Sequence, residues 1–462
     1  MDLKKELPKN LEKLLKILSE DSLFSDIYLE YTQTLRLVLE PERIDEINWG
    51  EEKGIALRKI TSDFQNIFSF SNNFDETYLE DLAKGVIKKT ALENTFFQTK
   101  SIKISEVSTF FKISEILKSR INFLENLKKR IKNLKEIKHY KIGLTEIKKE
   151  IIILNSEETW VEEIRPYFRV GVIVVAEKEG RLERGYEVAG RTLAFEKAKE
   201  LPEFLNLSEK ASELALKMLS AKKAPAGVMP VILSGEAGGT MIHEAVGHGL
   251  EADHAEEGLS VYSGKIGEKV ASELITVIDD ATLETLYGYY KYDDEGIPSQ
   301  PVVLIEKGIL KNFLYDKFFS LKYGKKSNGH GRRQSYRYIP LPRMGNTYID
   351  RGFCKPEDIL KSIDKGLLVK KMGGGEVNPL TGDFVFEVRE GYYIDKGEIA
   401  YPIKGATLVG NGPKVLEIID MVGNDLHFEP GICGKDGQGV PVSDAQPTLR
   451  IPEITVGGVL ES

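Results

Sequence analysis

From Asp26 to Ile60 apolar and polar positions alternate, with Ile27, Leu29 and Tyr31 and then Leu35, Leu37 and Leu39 on one phase, interrupted by Pro41-Glu42 and Gly50. A period of two puts successive side chains on opposite faces of a strand, so the stretch predicts antiparallel strands and hairpins. After Asn72-Asn73 the period changes. Asp75-Glu76 opens a segment with Leu79, Leu82, Ala83, Val86 and Ile87 at helical spacing, which ends before a turn-like region around Asn94. A second round follows in the same order: strand-like Ile151 to Leu154 and Tyr167 to Ala176, a charged hairpin near Glu179-Gly180, and a helix from about Ser208 to Ala221. Element order repeats without residue identity, which predicts a duplicated α+β unit. Between the rounds, Leu117, Ile121, Leu124, Ile131 and Leu134 recur at steps of three, four and seven, the mark of one long amphipathic helix.

After Ala221 the pattern changes again. Ala224-Pro225-Ala226-Gly227 reads as a linker, and Gly becomes frequent from there onward. Short β-rich runs, Pro301 to Glu306, Asp383 to Val388 and Gly391 to Ile394, are separated by Gly, Pro and Asn turns. The expected class is α+β in two domains. Residues 1–222 form an N-terminal domain of duplicated strand-hairpin-plus-helix units with the long helix, and residues 223–462 a C-terminal β-rich domain carrying one helix of special interest.

Composition narrows the function classes. The chain has 462 residues, 41% hydrophobic and 29% charged, which is ordinary for a folded globular protein. Its net charge of -8 lacks the basic excess of a dedicated nucleic-acid binder. One local run differs: Glu125 to Lys149 carries nine Lys/Arg against three Glu, a net of +6, although such runs ordinarily just face water. The two cysteines, Cys354 and Cys433, fit neither a disulfide framework nor a CxxC pattern. No stretch approaches the roughly 20 apolar residues that cross a bilayer, and Met1 to Leu18 lacks the character of a secretory signal. A cytoplasmic protein with no membrane partner is expected.

The sharpest chemical feature is His243-Glu244-Ala245-Val246-Gly247-His248, a HExxxH arrangement after a Gly-rich turn that holds two of only six histidines. Neutral imidazoles suit Zn²⁺, and an adjacent carboxylate suits the proton transfers of metal-assisted hydrolysis, so His243 and His248 are candidate ligands and Glu244 the candidate base. The spacing poses a problem. On an ideal α-helix five residues leave the two imidazoles about 140° apart, against about 40° for the commoner four-residue step. A wider π-type turn or a helix break between Glu244 and Gly249 is therefore predicted, with Gly247 easing the backbone deviation. For the third ligand, Glu251, Asp253 and His254 lie close in sequence, and His330, His427 and Cys433 farther away. Cys433 sits in Gly431-Ile432-Cys433-Gly434-Lys435-Asp436-Gly437-Gln438-Gly439, which reads as a loop too rich in glycine for a core strand. Spacing alone ranks it level with a nearby acid.

Several segments together resemble the TldD/PmbA (TldD/TldE) metalloprotease family, and within it the catalytic TldD-type subunit. They are His243 to Asp253, Asp294-Glu295-Gly296, Arg343-Met344-Gly345-Asn346-Thr347, Asn411-Gly412-Pro413, Gly423-Asn424-Asp425-Leu426, and Cys433-Gly434-Lys435 with Gly437-Gln438, spread over about 200 residues. The N-terminal half resembles the family only in element order and length. The resemblance implies zinc bound by His243, His248 and Cys433, with Glu244 as the catalytic acid/base. It also implies a homodimer, or a heterodimer with a PmbA/TldE-type subunit, and a site that admits only extended or unfolded peptides. The expected function is thus zinc-dependent hydrolysis of peptide bonds in flexible polypeptides. Gly373 to Phe386 and Gly324 to Arg343 are candidate pocket loops, with Arg332, Arg333, Arg337 and Arg343 as possible carboxylate binders. The alternative is a non-enzymatic regulator, a modulator of a topoisomerase or of an RNA regulator, resting on the basic run; nucleic acid is the less expected partner.

Overall fold

The computed structural model describes residues 7–85 and 107–458. Val86, Ile87 and Asn94, where the first predicted helix was to end, lie outside the described residues. Helix α1 (Leu11–Ser19) leads into strands β1 (Ser22–Leu39), β2 (Ile44–Thr61) and β3 (Asn66–Ser71) and helix α2 (Glu76–Ala83). Helix α3 (Val107–Lys129) leads into β4 (Ile137–Asn155), β5 (Thr159–Lys178) and β6 (Arg181–Arg191), and then into a helix at Leu207–Met218. The six strands form one antiparallel sheet in the order β3-β2-β1-β4-β5-β6, so each run of three lies on one side of the central β1/β4 pair.

The period-two signal is visible in the burial of β5, with one informative break. Val161, Glu163, Arg165 and Tyr167 are buried on one phase, and Phe168, Val170, Val172, Val174 and Ala176 on the other. The second group packs under α3 and the Leu207–Met218 helix with Leu124, Phe195 and Ala211. Val161 packs on the opposite face, where Tyr28, Ile151 and Ile153 meet Tyr336 from the second half of the chain. One strand thus serves two interfaces by exchanging its buried face midway.

The long helix is shorter than its apolar spacing predicts. It ends at Lys129, and Ile131 and Leu134 lie beyond it in the turn before β4. Ile131 still packs against the core beneath the helix, so the apolar spacing continued past the point where the helix stopped. The basic run is correspondingly divided between the end of α3 and β4. Four of its nine cations meet acids from neighbouring elements: Arg130 with Glu209 at 3.7 Å, Lys132 with Glu213 at 3.1 Å, Lys141 with Glu40 at 3.6 Å and Lys149 with Glu30 at 3.3 Å.

The second half contributes two larger sheets. In one, Ile309–Leu310, Pro301–Glu306, Val277–Asp280, Asn346–Ile349, Gln438–Gln446 and His427–Lys435 lie in that spatial order. In the other, pairing runs round a closed ring of five strands: Lys365–Val377, Gly227–Leu233, Leu449–Gly457, Thr407–Asn411 and Asp383–Asp395. Between them lies a helical segment from Thr240 to Leu250, whose Met241, Ile242, Val246 and Leu250 share one core with Val277 and Leu304 of the first sheet and Leu233 and Phe386 of the ring. No helix among the described residues is long and apolar enough to cross a membrane.

The two halves are joined through buried charge. Arg58 on β2 donates from Nε to Asp26 on β1 and from Nη2 to Glu295 at 2.7 Å, and Arg333 reaches Asp26 at 3.1 Å, with all four side chains fully buried. Beside them Arg165 on β5 pairs with Asp294 at 2.7 Å. Removing one member of such a set strands the others in a medium that cannot solvate them. Arg58→Met is expected to lower unfolding free energy by about 3–5 kcal/mol in urea titration, and a loss below about 1 kcal/mol would show that the two carboxylates find other partners.

Candidate metal centre

The segment carrying His243 and His248 changes helix type along its length. Thr240–Ile242 is α-helical, His243–Gly247 is a π-helix, and His248–Leu250 is 3-10. The amide of His248 donates to the carbonyl of His243, an i→i+5 bond that turns a five-residue spacing into one full turn. The ring centroids consequently lie 5.0 Å apart at an interplanar angle of 88°. Gly239, just before the segment, has φ 64 and packs so close to the main chain at Asp444 and Ala445 that a Cβ would meet the Ala445 amide. That contact seats the first turn on the strand that carries Asp444.

Gly247 acts differently from the sequence-based expectation. Its φ of -55 and ψ of -54 are ordinary helical values, so no unusual backbone freedom is used there. What it supplies is the lack of a side chain: a Cβ would sit on the sulfur of the fully buried Met344.

The third residue arrives from a strand. Cys433 lies in the strand His427–Lys435, paired with Gln438–Gln446 around a tight turn at Asp436-Gly437, so the predicted glycine-rich loop is a hairpin. Among the described residues this strand pairs with one other strand only, at the end of its sheet. The thiol is 3.5 Å from His248 Nε2, and donor atoms of His243, His248 and Cys433 all lie within 4.8 Å of one another. Of the other residues weighed as third ligand, none joins this group. His330 pairs with Asp279 at 3.0 Å and His427 with Glu429 at 3.0 Å, while His254 Nδ1 bonds the His248 carbonyl at 2.9 Å. Glu251, Asp253 and His254 form a cluster of their own, but Lys435 Nζ bridges Glu251 at 2.9 Å and Asp253 at 2.7 Å.

The surroundings orient the donors. His243 Nδ1 is bonded to Asp444 at 2.7 Å and His248 Nδ1 to Glu251 at 2.8 Å, which leaves Nε2 of each ring as its free donor. Burial opposes protonation of both rings, yet Asp444 and Cys433 hold His243 well above the usual histidine range, and Glu251 with Cys433 raises His248 to about 10. Burial alone would push the Cys433 thiol up, but His243 and His248 hold it well below its usual value. Glu251 is likewise desolvated, and Lys435 and His248 overcome this and keep its carboxyl far down. Two imidazoles and a thiolate that share protons in this way form a donor set suited to a borderline-soft divalent cation, which would replace those protons. Glu244 is half-buried and has no hydrogen bond or ion pair among the described residues.

The segment 343–347, one of those that carry the family resemblance, supports the centre. Arg343 Nη2 donates to the Cys433 carbonyl, Gly345 N and Thr347 Oγ1 bond Asp279 at 2.9 and 2.6 Å, and Asn346 Nδ2 bonds the Asp280 carbonyl at 2.8 Å. The segment 343–347 is therefore a strut under the hairpin and the π-turn. Arg332, Arg333 and Arg337 also have internal partners, namely the Met344 and Pro441 carbonyls, Asp26, and Glu52. Asp444, 201 positions from His243, could not be linked to it by any local pattern. Cys354 makes main-chain bonds to Val422 and Asn424, away from the donor cluster.

Residues 226–458 match the PmbA/TldA metallopeptidase C-terminal domain and residues 102–219 its central domain, which sets the class as that of a metallopeptidase fold. A metalloprotease TldD homolog of Haemophilus influenzae is 35% identical over 455 residues, covering 94% of this chain and 93% of the relative. A metalloprotease of Methanocaldococcus jannaschii is 34% identical over 452 residues, covering 96% and 98%. The chain belongs to the PmbA/TldD metallopeptidase family. A zinc metalloprotease TldD homolog of Saccharolobus solfataricus is 34% identical over 244 residues, 53% of this chain and 54% of the relative. Among solved structures, a Thermotoga maritima protein described as a modulator of DNA gyrase superposes with TM-score 0.78 at 18% identity, over 99% of this chain and all of that one. TldE from Thermococcus kodakarensis gives 0.72 at 18% identity, over 97% and 100%. At those identities the structural likeness speaks to the fold alone.

The packing makes a specific expectation for Gly247. Gly247→Ala should cost about 1–3 kcal/mol through collision with Met344. Combined with Met344→Ala, it should cost less than the sum of the two single changes in urea titration; strict additivity would show that the alanine methyl points elsewhere.

Proposed function

We propose that this chain is a zinc-dependent peptidase that hydrolyses peptide bonds in extended or unfolded polypeptides. The observation that carries the reading is the convergence of His243 Nε2, His248 Nε2 and the Cys433 thiol, with Glu244 on the same turn as His243. His243, His248 and Cys433 would hold the metal. When bound, zinc supplies Lewis-acid polarisation of a carbonyl and acidifies water toward a pKa of about 7. Asp444 and Glu251 keep the two rings in the tautomer that presents Nε2. Glu244, whose carboxylate has no partner among the described residues, takes a proton from the attacking water and returns it to the leaving amine.

Substrate binding follows from the position of the Cys433 strand. As the outermost strand of its sheet it has, among the described residues, one edge unpaired with another strand, and such an edge can bind extended backbone without regard to side chain. Folded proteins offer no free backbone to it, which favours flexible peptides. We place the chain in the cytoplasm, in keeping with its two free cysteines, and infer an assembly either with a second copy or with a TldE-like subunit. The regulatory alternative loses support because six of the nine cations in the basic run pair with acids of the chain.

Glu244→Gln is expected to keep its metal while kcat on an unstructured peptide falls about 10²–10⁴-fold. Turnover within a few-fold of the parent would assign the base to another residue.

A further inference from the structure

A cavity of about 940 Å³, whose lining includes Glu429 to Ile432 of the strand that carries Cys433, opens between the two halves of the chain. Arg169 and Arg184, from β5 and β6, line it from the N-terminal sheet, and Arg389, from the ring strand Asp383–Asp395, lines it from the second half. The first and last converge on one side chain. Arg169 Nη2 donates to the Tyr186 hydroxyl at 3.4 Å, and the Arg389 guanidinium lies 5.7 Å from the Tyr186 ring centroid. Arg169 Nε is buried with no hydrogen-bond partner among the described residues.

The charge pairing in this cavity is uneven. Among the described residues, Arg169, Arg184 and Arg389 have no carboxylate at ion-pair distance. The other basic residue of the lining, Lys371, is taken by Glu187 at 2.6 Å. Of the acids in the lining, Glu236 pairs with Lys370 at 3.1 Å and Glu429 with His427 at 3.0 Å, which leaves Glu387 as the one lining carboxylate without an ion-pair partner among the described residues. Three uncommitted guanidiniums therefore face one uncommitted carboxylate. A guanidinium is a planar fork of donors matched to a carboxylate, and a concave site with low-dielectric walls strengthens the attraction. Gly431 also lines the cavity. It precedes Cys433 by two residues, about 7 Å along a strand, so the edge of the cavity lies within reach of an extended peptide held at the donor cluster.

We propose that Arg169, Arg184 and Arg389 bind a carboxylate of the peptide substrate, either its C-terminal carboxylate or a Glu or Asp side chain, and so select which peptides are held across the donor cluster. The proposal rests on the peptidase reading for the ligand being a peptide, and its test separates the two. Three labelled heptapeptides are titrated against the zinc-loaded Glu244→Gln chain by fluorescence anisotropy: one with a free C-terminal acid and only neutral side chains, its C-terminal amide, and the amide with one central Gln replaced by Glu. The acid or the Glu peptide should bind about tenfold tighter than the neutral amide, the size of a charge-assisted contact in a half-exposed site, and the advantage should shrink with added salt. Which of the two charged peptides gains identifies the source of the carboxylate. Arg169→Gln and Arg389→Gln, introduced singly and checked for native circular dichroism, should bring the ratio toward one. Equal affinity for all three peptides, no binding of any, or a ratio unchanged in both variants would overturn the proposal. The same peptides are then incubated with the zinc-loaded parent. Cleavage without preference for a carboxylate removes the anion site and leaves the peptidase, whereas selective binding without cleavage keeps the anion site and removes the peptidase.

Discussion

Five residues separate His243 from His248, and a helix can bring both imidazoles to one place only if it takes five residues to close its turn. The i→i+5 hydrogen bond between them meets that demand, and the neighbouring structure follows from keeping this turn in position. A π-turn is rarely favoured by its own backbone, so its environment must hold it. Ile242, Val246 and Leu250 anchor it in the core between the two sheets, Gly239 seats its start on the main chain of the adjacent strand, and Gly247 lets Met344 close against its end.

The second requirement is to bring a residue from 185 positions away to the same point. A β-hairpin does this with definite register, and a one-residue slip would turn Cys433 to the opposite face of its strand. The register is held at several points. Arg343 grips the Cys433 carbonyl, Lys435 ties the strand to Glu251 behind His248, and Asp444 on the partner strand grips His243. The carboxylates that orient the imidazoles are thus attached to the same elements that carry the donors. This arrangement couples the chemistry of each ligand to the packing of its support, and it explains why so many charged residues around the centre are buried and internally paired.

Legibility from sequence varied with the range of the interaction. The π-turn could be deduced because it is local: two histidines at a spacing an α-helix cannot use, with the angle set by helix geometry alone. The strand character of β1 was similarly local, although Phe24 to Tyr31 is buried on both faces rather than alternately, and so was the run Pro301–Glu306. The end of α3 at Lys129 was missed because Ile131 and Leu134 kept helical spacing while the chain turned into β4. The Cys433 strand was misread as a loop because its glycines suggested turns, whereas an edge hairpin accommodates them. Residue spacing could not separate Cys433 from nearby acids as third donor; its selection came from the resemblance of the surrounding motifs. Asp444, Arg169 and Arg389 carry no local signature at all, since each acquires its partner through contacts between distant elements.

The most direct test of the central claim is the X-ray absorption spectrum of zinc bound to the purified chain. One sulfur scatterer at about 2.3 Å beside imidazole nitrogens at about 2.0–2.1 Å is the predicted first shell, with the sulfur lost in Cys433→Ser. A shell of nitrogen and oxygen alone in the parent chain, or a sulfur signal that survives Cys433→Ser, would contradict the account.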